Sequence, residues 1–268
     1  MSARAWTIKE LLQVTTEYLE KKDIDNPRLS AEILLAHQLN TNRVKLYLNF
    51  DQPLDDTEIA GYRPLRKRRA DREPIQYITG IQEFWSLDFV VGPQVLIPRP
   101  ESELLVERVI SLCKEERLPE NLNPNILDLG TGCGALAVAL ARELEEASIW
   151  ACDISRDGLE VAKLNARKHG VQTRIEFRLG DLWQPFMDQE LMFDVILSNP
   201  PYIASETIDS LPSEVREQEP RLAFDGREEG MFFIRKIITE GPGYLKPGGW
   251  ILVEMDPEQT SKALNLVE

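Results

Sequence analysis

Cysteine and histidine are scarce: the 268-residue chain has three Cys and two His. Cys113, Cys133 and Cys152 form no C-x-x-C pair, and His37 and His169 have no ligand-spaced neighbours. That excludes the usual zinc and disulfide frameworks, so buried thiols and no metal are expected. Long apolar runs are also missing. No stretch approaches the roughly 18 residues of a membrane helix, and Met1-Ser2-Ala3-Arg4-Ala5-Trp6 lacks the apolar region of a signal peptide. A cytoplasmic protein with no membrane contact is expected. Internal repeats and low-complexity tracts are absent too.

Basic charge is lacking in the C-terminal part. Net charge is −14; residues 1–74 carry 13 Lys plus Arg against 12 Asp plus Glu, and residues 75–268 carry 18 against 33. Nucleic-acid enzymes draw much of their affinity from phosphate neutralisation, so an acidic region of this size points to a small-molecule or protein substrate. A hydrophobic fraction of 43% supplies material for one sizeable core and a smaller second one.

The order of elements fits that division. Thr7-Ile8-Lys9-Glu10 reads as a capping box opening a helix that carries Leu11, Leu12, Val14, Tyr18 and Leu19. Asn26-Pro27 opens a second helix, a short third covers 44–48, and a fourth runs over about 56–72. Arg63, Arg66, Lys67, Arg68, Arg69 and Arg72 on the fourth are either a solvated face, the favoured reading, or a contact surface for RNA or an acidic protein. From Pro74 to Val91 the residues become β-rich around Thr79-Gly80, which predicts a hairpin linking two domains. A helix over about 101–117 then leads into strands at 125–129, 148–153, 174–179, 193–198 and 250–255, separated by helices near 134–146, 157–169 and 230–245. Such alternation with near-continuous apolar strands predicts an α/β domain whose parallel sheet is buried on both faces.

Ligands of open parallel sheets bind beyond the carboxyl ends of the strands, where strand order reverses. After the first predicted strand comes Asp128-Leu129-Gly130-Thr131-Gly132-Cys133-Gly134. This turn resembles the nucleotide-binding loop of Rossmann-like methyltransferases, and the ligand so implied is S-adenosylmethionine. That molecule has no pyrophosphate to cradle, so the glycines would serve to bring backbone against its adenosyl and methionine parts. Asp128 is positioned to receive the ligand's ammonium through water. Asp153 ends the second strand, where a carboxylate accepts from both ribose hydroxyls. Asp181, after the third strand, offers an acceptor for the adenine amino group, beside the apolar wall of Leu182.

The fourth strand runs into Asn199-Pro200-Pro201-Tyr202. Asn-Pro alone is a common turn signal, but here it follows a buried strand at the predicted crevice. The Asn199 side-chain oxygen and the Pro200 carbonyl are two acceptors suited to the two N–H bonds of a planar –NH₂ group. Prolines at 200 and 201 stiffen the loop, and Tyr202 offers a flat face.

The tetrapeptide is shared by methyltransferases of glutamine amides, of adenine N6 and of guanine N2, so it does not select a substrate. Other segments do: Pro74-Ile75-Gln76-Tyr77-Ile78-Thr79-Gly80, Phe84, Leu96-Ile97-Pro98-Arg99-Pro100-Glu101-Ser102-Glu103, the glycine turn and Ser198 to Ile203. Together they resemble the release factor glutamine methyltransferases over nearly the whole chain. The resemblance implies a Rossmann-like class I methyltransferase domain (96–268) and a small N-terminal helical bundle (1–73) that binds the substrate protein, joined by a β-hairpin (74–95). It also implies N5-methylation of the glutamine in the Gly-Gly-Gln loop of peptide chain release factors; a monomer is expected, and the acidic charge leads to the expectation of no direct nucleic-acid contact. Asp128 to Gly132, Asp153, Leu182 and Asn199 would then contact the cofactor, as Asp181 is expected to from its place after the third strand, and Asn199 to Tyr202 would hold the substrate; Arg99 and Glu103 either line the pocket or form a salt-bridged helix start. A related branch acting on a ribosomal-protein glutamine tends to carry P-R-S-P; Pro98-Arg99-Pro100-Glu101 favours the release-factor branch.

Two departures stand out. Ser102 replaces the family's Thr and keeps the hydroxyl. The family continues beyond the fifth strand into a helix and an antiparallel hairpin, whereas this sequence stops at Glu268. That leaves open a shortened but ordinary enzyme, which is favoured, a methyltransferase-fold module that binds without turnover, or a nucleic-acid N6-adenine enzyme.

Overall fold

The computed structural model describes residues 6–114 and 123–267. Two compact units meet in sequence between Gly80 and Ile81.

In the first unit, α1 (Ile8–Glu20) starts at the expected capping box: the Thr7 hydroxyl accepts from Glu10 N at 3.2 Å and the Glu10 carboxylate from Thr7 N at 3.1 Å. α2 (Pro27–Gln38), α3 (Arg43–Leu48) and α4 (Asp56–Ala70) follow. Leu12, Leu34, Leu35, Leu46 and Tyr62 form one buried core. Much of the basic run on α4 works within the unit. Arg68 pairs with Glu73, the buried Arg69 donates to the Glu73 carbonyl at 3.0 Å, Arg72 donates to the Asp23 carbonyl at 3.2 Å, and Arg66 lies over the Tyr18 ring.

Residues 75–79 are helical, not extended as their β-branched composition suggested. α5 (Ile75–Thr79) follows Pro74 and ends at Gly80, whose φ of 76° and N–H to the Gln76 carbonyl make it a helix C-cap. Ile78 is buried in the bundle core, with Ile75 packed against it one turn earlier; that packing outweighs the weak β preference of these residues.

The second unit opens with a hairpin displaced from the predicted one, β1 (Ile81–Phe84) and β2 (Leu87–Val90). Its two-residue turn is Trp85-Ser86, with φ of 53° and 56°, as a type I′ turn requires. Neither residue belongs to the Asn-Gly vocabulary of such turns, which hid it from sequence reading. α6 (Glu103–Lys114) was expected to run to about Arg117, outside the described residues. Then come β3 (Asn125–Leu129), α7 (Ala135–Glu143), β4 (Ser148–Asp153), α8 (Arg156–Lys168), β5 (Ile175–Leu179), β6 (Phe193–Ser198), α9 (Ser213–Gln218), α10 (Phe232–Glu240), β7 (Leu245–Val253) and α11 (Thr260–Leu264). Asn165 of α8 pins the hairpin by accepting from Val90 N and donating to the Val90 carbonyl, at 2.7 and 3.0 Å.

All five sheet strands are parallel, in the order β5-β4-β3-β6-β7. Strand order therefore reverses between β3 and β6. β7 begins at Leu245, earlier than expected, because Pro247-Gly248-Gly249 is absorbed by a register irregularity opposite Phe193 and Val195. Leu127, Leu129, Phe193 and Ile196 pack with Trp183, Phe186 and Ile237 in one buried cluster. Among the described residues no helix is long and apolar enough to cross a membrane.

Candidate active site

A pocket lies at the strand-order reversal. Leu129, Gly130 and Gly132 line it from β3, Asp153 from β4, Asp181 and Leu182 from β5, and Asn199, Pro200 and Pro201 from β6. Four consecutive strand ends thus bring nine of the residues singled out in the sequence to one cavity. Asp128, Thr131, Tyr202 and Arg99 are not among its lining.

Gly130 and Gly132 have φ of 74° and 56°, and a Cβ on either would meet nothing within 4 Å. The turn needs left-handed backbone and faces open space. Gly134 serves packing instead, since its Cβ would come within 3.0 Å of the Ala162 Cβ on α8. The turn is fixed by Gly130 N and Thr131 N donating to the Cys152 carbonyl (2.9 and 3.0 Å) and by Gly132 N donating to Asp153 Oδ2 (2.8 Å). Asp153 Oδ1 accepts from Ser155 N at 2.8 Å. Burial raises this carboxyl above its usual range, opposed by those amides.

Asp128 is fully buried. Oδ2 accepts from the Thr131 hydroxyl at 2.7 Å, while Oδ1 has no hydrogen-bond partner. Burial pushes its pKa up to about 7, and the neighbouring Asp153 adds to the rise. Leu182 holds a φ of 44°, uncommon without a glycine, and its carbonyl lies 3.5 Å from the Cys152 thiol.

The loop after β6 is clamped on several sides. The Ser198 hydroxyl donates to the Leu129 carbonyl at 2.7 Å, tying this strand end to the glycine turn. Asn199 Nδ2 donates to Ser102 Oγ at 2.9 Å, Ser102 Oγ donates to Glu254 Oε2 at 2.6 Å, and Glu254 N donates to the Ser198 carbonyl at 2.9 Å. The Tyr202 carbonyl accepts from Gln259 Nε2 at 2.8 Å. Gly226 and Gly230 pass so close that a Cβ on Gly226 would lie 2.8 Å from the Pro201 carbonyl oxygen.

Arg99 does not line the cavity. Its Nη2 donates to Glu219 Oε1 at 2.6 Å, and Glu219 Oε2, almost wholly buried, accepts from Ile97 N at 3.2 Å. The guanidinium neutralises a buried carboxylate, and its charge also opposes the rise that burial gives the Tyr202 pKa. Glu103 is likewise occupied, accepting from Trp85 N at 2.7 Å.

Sequence reading missed Ser102, Glu254 and Gln259 as supports of the loop, and Arg227 and Phe233 as lining. A signal was present: residues 199–231 form a long connection of short helical turns between β6 and α10, and loops of that length in a compact domain are usually functional.

Family models match on both sides of the chain, PrmC N-terminal domain over residues 10–80 and methyltransferase small domain over residues 112–216. The release factor glutamine methyltransferase of Geobacter sulfurreducens is 44% identical over 261 residues, which is 97% of this chain and 88% of that protein. The chain belongs to the release factor glutamine methyltransferase family. It is accordingly an enzyme, a methyltransferase with a class I fold. The family member of Chlorobaculum tepidum is 39% identical, covering 98% of this chain and 90% of its own length. Among solved structures, the hMettl16 catalytic domain in complex with the MAT2A 3′UTR hairpin 6 matches with a TM-score of 0.54 and 17% identity, over 74% of this chain and 71% of that one. At that identity it shares the fold alone.

Proposed function

We propose that this enzyme transfers a methyl group from S-adenosylmethionine to the side-chain nitrogen of the glutamine in the Gly-Gly-Gln motif of peptide chain release factors. The observation that carries the reading is the opening of Asn199-Pro200-Pro201 into the same cavity as the glycine turn and Asp153. The relatives' names supply the release factor as substrate class.

The residues present fit the cofactor. Asp128 Oδ1 is a buried acceptor without a donor, suited to a cationic ammonium through an intervening water. Asp153 Oδ1 and Oδ2 each accept one backbone amide and keep acceptor capacity for ribose hydroxyls. Leu182 gives an adenine ring an apolar wall, and Asp181 an acceptor at its edge. Gly130 and Gly132 leave free the space that side chains would fill.

When bound, the cofactor supplies an electrophilic methyl on a sulfonium. The protein's task is orientation, because an amide nitrogen shares its lone pair with the carbonyl and is a poor nucleophile. Asn199 Oδ1 and the Pro200 carbonyl accept the two N–H bonds of the glutamine –NH₂, turning its lone-pair face toward the methyl. With the methyl passing from the cofactor's sulfur to that nitrogen, positive charge would grow there and the hydrogen bonds to Asn199 and Pro200 would strengthen. The surplus proton then leaves to solvent without a general base. Tyr202 lies beside this centre as a face for the substrate loop, and residues 1–73 are proposed to dock the release factor. A cytoplasmic monomer that does not bind nucleic acid directly completes the proposal; the net charge of −14 supports the last point.

The test is mass spectrometry of release factor incubated with enzyme and methyl-labelled cofactor. One label on the Gly-Gly-Gln glutamine is expected, lost with Asn199→Ala. Cofactor binding by calorimetry with no labelled peptide would leave only a binding module.

A further inference from the structure

A carboxamide is nearly symmetric in shape, so turning Asn199 by 180° about its last bond exchanges an acceptor for a donor while filling the same space. Only one of the two orientations serves a reaction in which the substrate nitrogen must donate. Hydrogen-bond counting in its surroundings selects it. Glu254 Oε2 accepts from Ser102 at 2.6 Å, and the Ser102 hydroxyl has only that single hydrogen to give. Ser102 Oγ can therefore only accept from Asn199, 2.9 Å away, and Nδ2 is the amide atom able to give.

We infer that Ser102 and Glu254 are positioning residues which lock the Asn199 carboxamide with Oδ1 toward the incoming glutamine amide. This rests on the methyl-transfer reading above and adds the device that sets the polarity of its key acceptor. Three separate segments build it: the turn Pro100–Ser102, the end of β6 and the end of β7. Ser102 is 4% exposed, so water offers the Asn199 amide little competition there. Glu254 N donates to the Ser198 carbonyl, which sets the carboxylate behind the loop by one backbone bond of β6 to β7 pairing. The Asn199 and Tyr202 side chains also lie close enough to the Glu254 carboxylate to oppose the rise that burial gives its pKa. Both contacts on the Asn199 amide are thus acceptors, and the NH₂ end meets them. The family's Thr at position 102 would keep this hydroxyl, whereas an aliphatic side chain would remove it.

The experiment compares the unmodified chain with Ser102→Ala, Ser102→Thr and Glu254→Gln, using intact release factor and S-adenosylmethionine. Ser102→Ala is expected to lower kcat about 10- to 100-fold, with KM for release factor and cofactor affinity changed less than about threefold. Ser102→Thr should restore kcat to within about threefold. Glu254→Gln should fall between, because a glutamine can either accept from Ser102 or donate to it. A second readout needs no turnover: in ¹⁵N-asparagine-labelled protein, the Asn199 Nδ2 protons should exchange slowly in the unmodified chain and in Ser102→Thr, and at least about tenfold faster in Ser102→Ala. Unchanged exchange in Ser102→Ala, a kcat equal to that of the unmodified enzyme, or a Ser102→Thr variant as slow as Ser102→Ala would each overturn the inference. Failure of the unmodified enzyme to label any release factor would overturn the substrate reading, while the exchange measurement would still decide the orientation of Asn199.

Discussion

The hydroxyl of Thr131 reaches Oδ2 of Asp128 at 2.7 Å, and Oδ1 of that fully buried carboxylate completes no hydrogen bond, although the Ala137 amide is near enough to oppose the rise that burial gives its pKa. The pair therefore holds an acid that is costly to ionise in the free enzyme. With its pKa raised to about 7, the folded state keeps a proton that the unfolded chain has released. The contribution to stability is full below the ordinary carboxylate range and is lost as pH rises through about 7. Asp128→Asn removes this cost and leaves an acceptor for Thr131. The variant should melt at a higher temperature than the unmodified protein at pH 8, with the gap closing toward pH 5, and should bind S-adenosylmethionine more weakly at both. Thermal melts at the two pH values and calorimetric titration check this; a lower melting temperature at pH 8 would refute it.

Gly230 carries a φ of 69°, and a Cβ there would lie 2.0 Å from the Tyr202 carbonyl oxygen. Backbone, not a flexible side-chain end, is the obstacle. Gly230→Ala should cost at least the ~1–2 kcal/mol of a left-handed alanine and displace the loop besides. Urea unfolding should show the loss, and kcat should fall more steeply than cofactor affinity. Equal losses in both would mean that the glycine supports the whole pocket and not the Asn199 loop.

Leu182 holds its φ of 44° without being glycine, while lining the cavity and packing beside Trp183 and Phe186. Strain kept at a site implies a use for that side chain. Leu182→Asn suits the left-handed backbone and removes the apolar wall. Affinity for S-adenosylmethionine should drop about tenfold, roughly the 1–2 kcal/mol of a lost apolar contact, while the thermal transition stays cooperative. Binding as tight as in the unmodified chain would take Leu182 out of the cofactor site.

The sheet was legible in the sequence because each strand carries its own apolar run, and the crevice followed from where those runs end. Ile75–Thr79 misled because five residues give too short a window for periodicity, and burial in the bundle outweighed propensity. Leu245–Gly249 was passed over because Pro and Gly usually stop a strand; here an irregular register accommodates them. Asp153, Leu182 and Asn199 could be placed on the cavity lining from their positions after strands. Ser102 and Glu254 were not, since their roles exist only through a hydrogen-bond path between residues 97 and 152 positions apart in the chain. No local pattern records such a path.

Arg99 has two candidate roles, substrate contact and salt-bridge partner of Glu219, and a pair of variants separates them. The motif reading sets it at the substrate; the geometry pairs it with Glu219, whose side chain is 2% exposed against 34% for the arginine. If the guanidinium touched substrate, Arg99→Ala would raise KM for release factor and a second change at Glu219 would not help. If it neutralises Glu219, Arg99→Ala leaves a buried carboxylate that still accepts from the Ile97 amide but has lost its cation, and costs about 1–3 kcal/mol. Glu219→Gln keeps the hydrogen-bond acceptor and removes the charge, so the double variant Arg99→Ala/Glu219→Gln should recover much of the lost stability. Unfolding free energies of the two single variants and the double give the coupling, and a value near zero would return Arg99 to the substrate side.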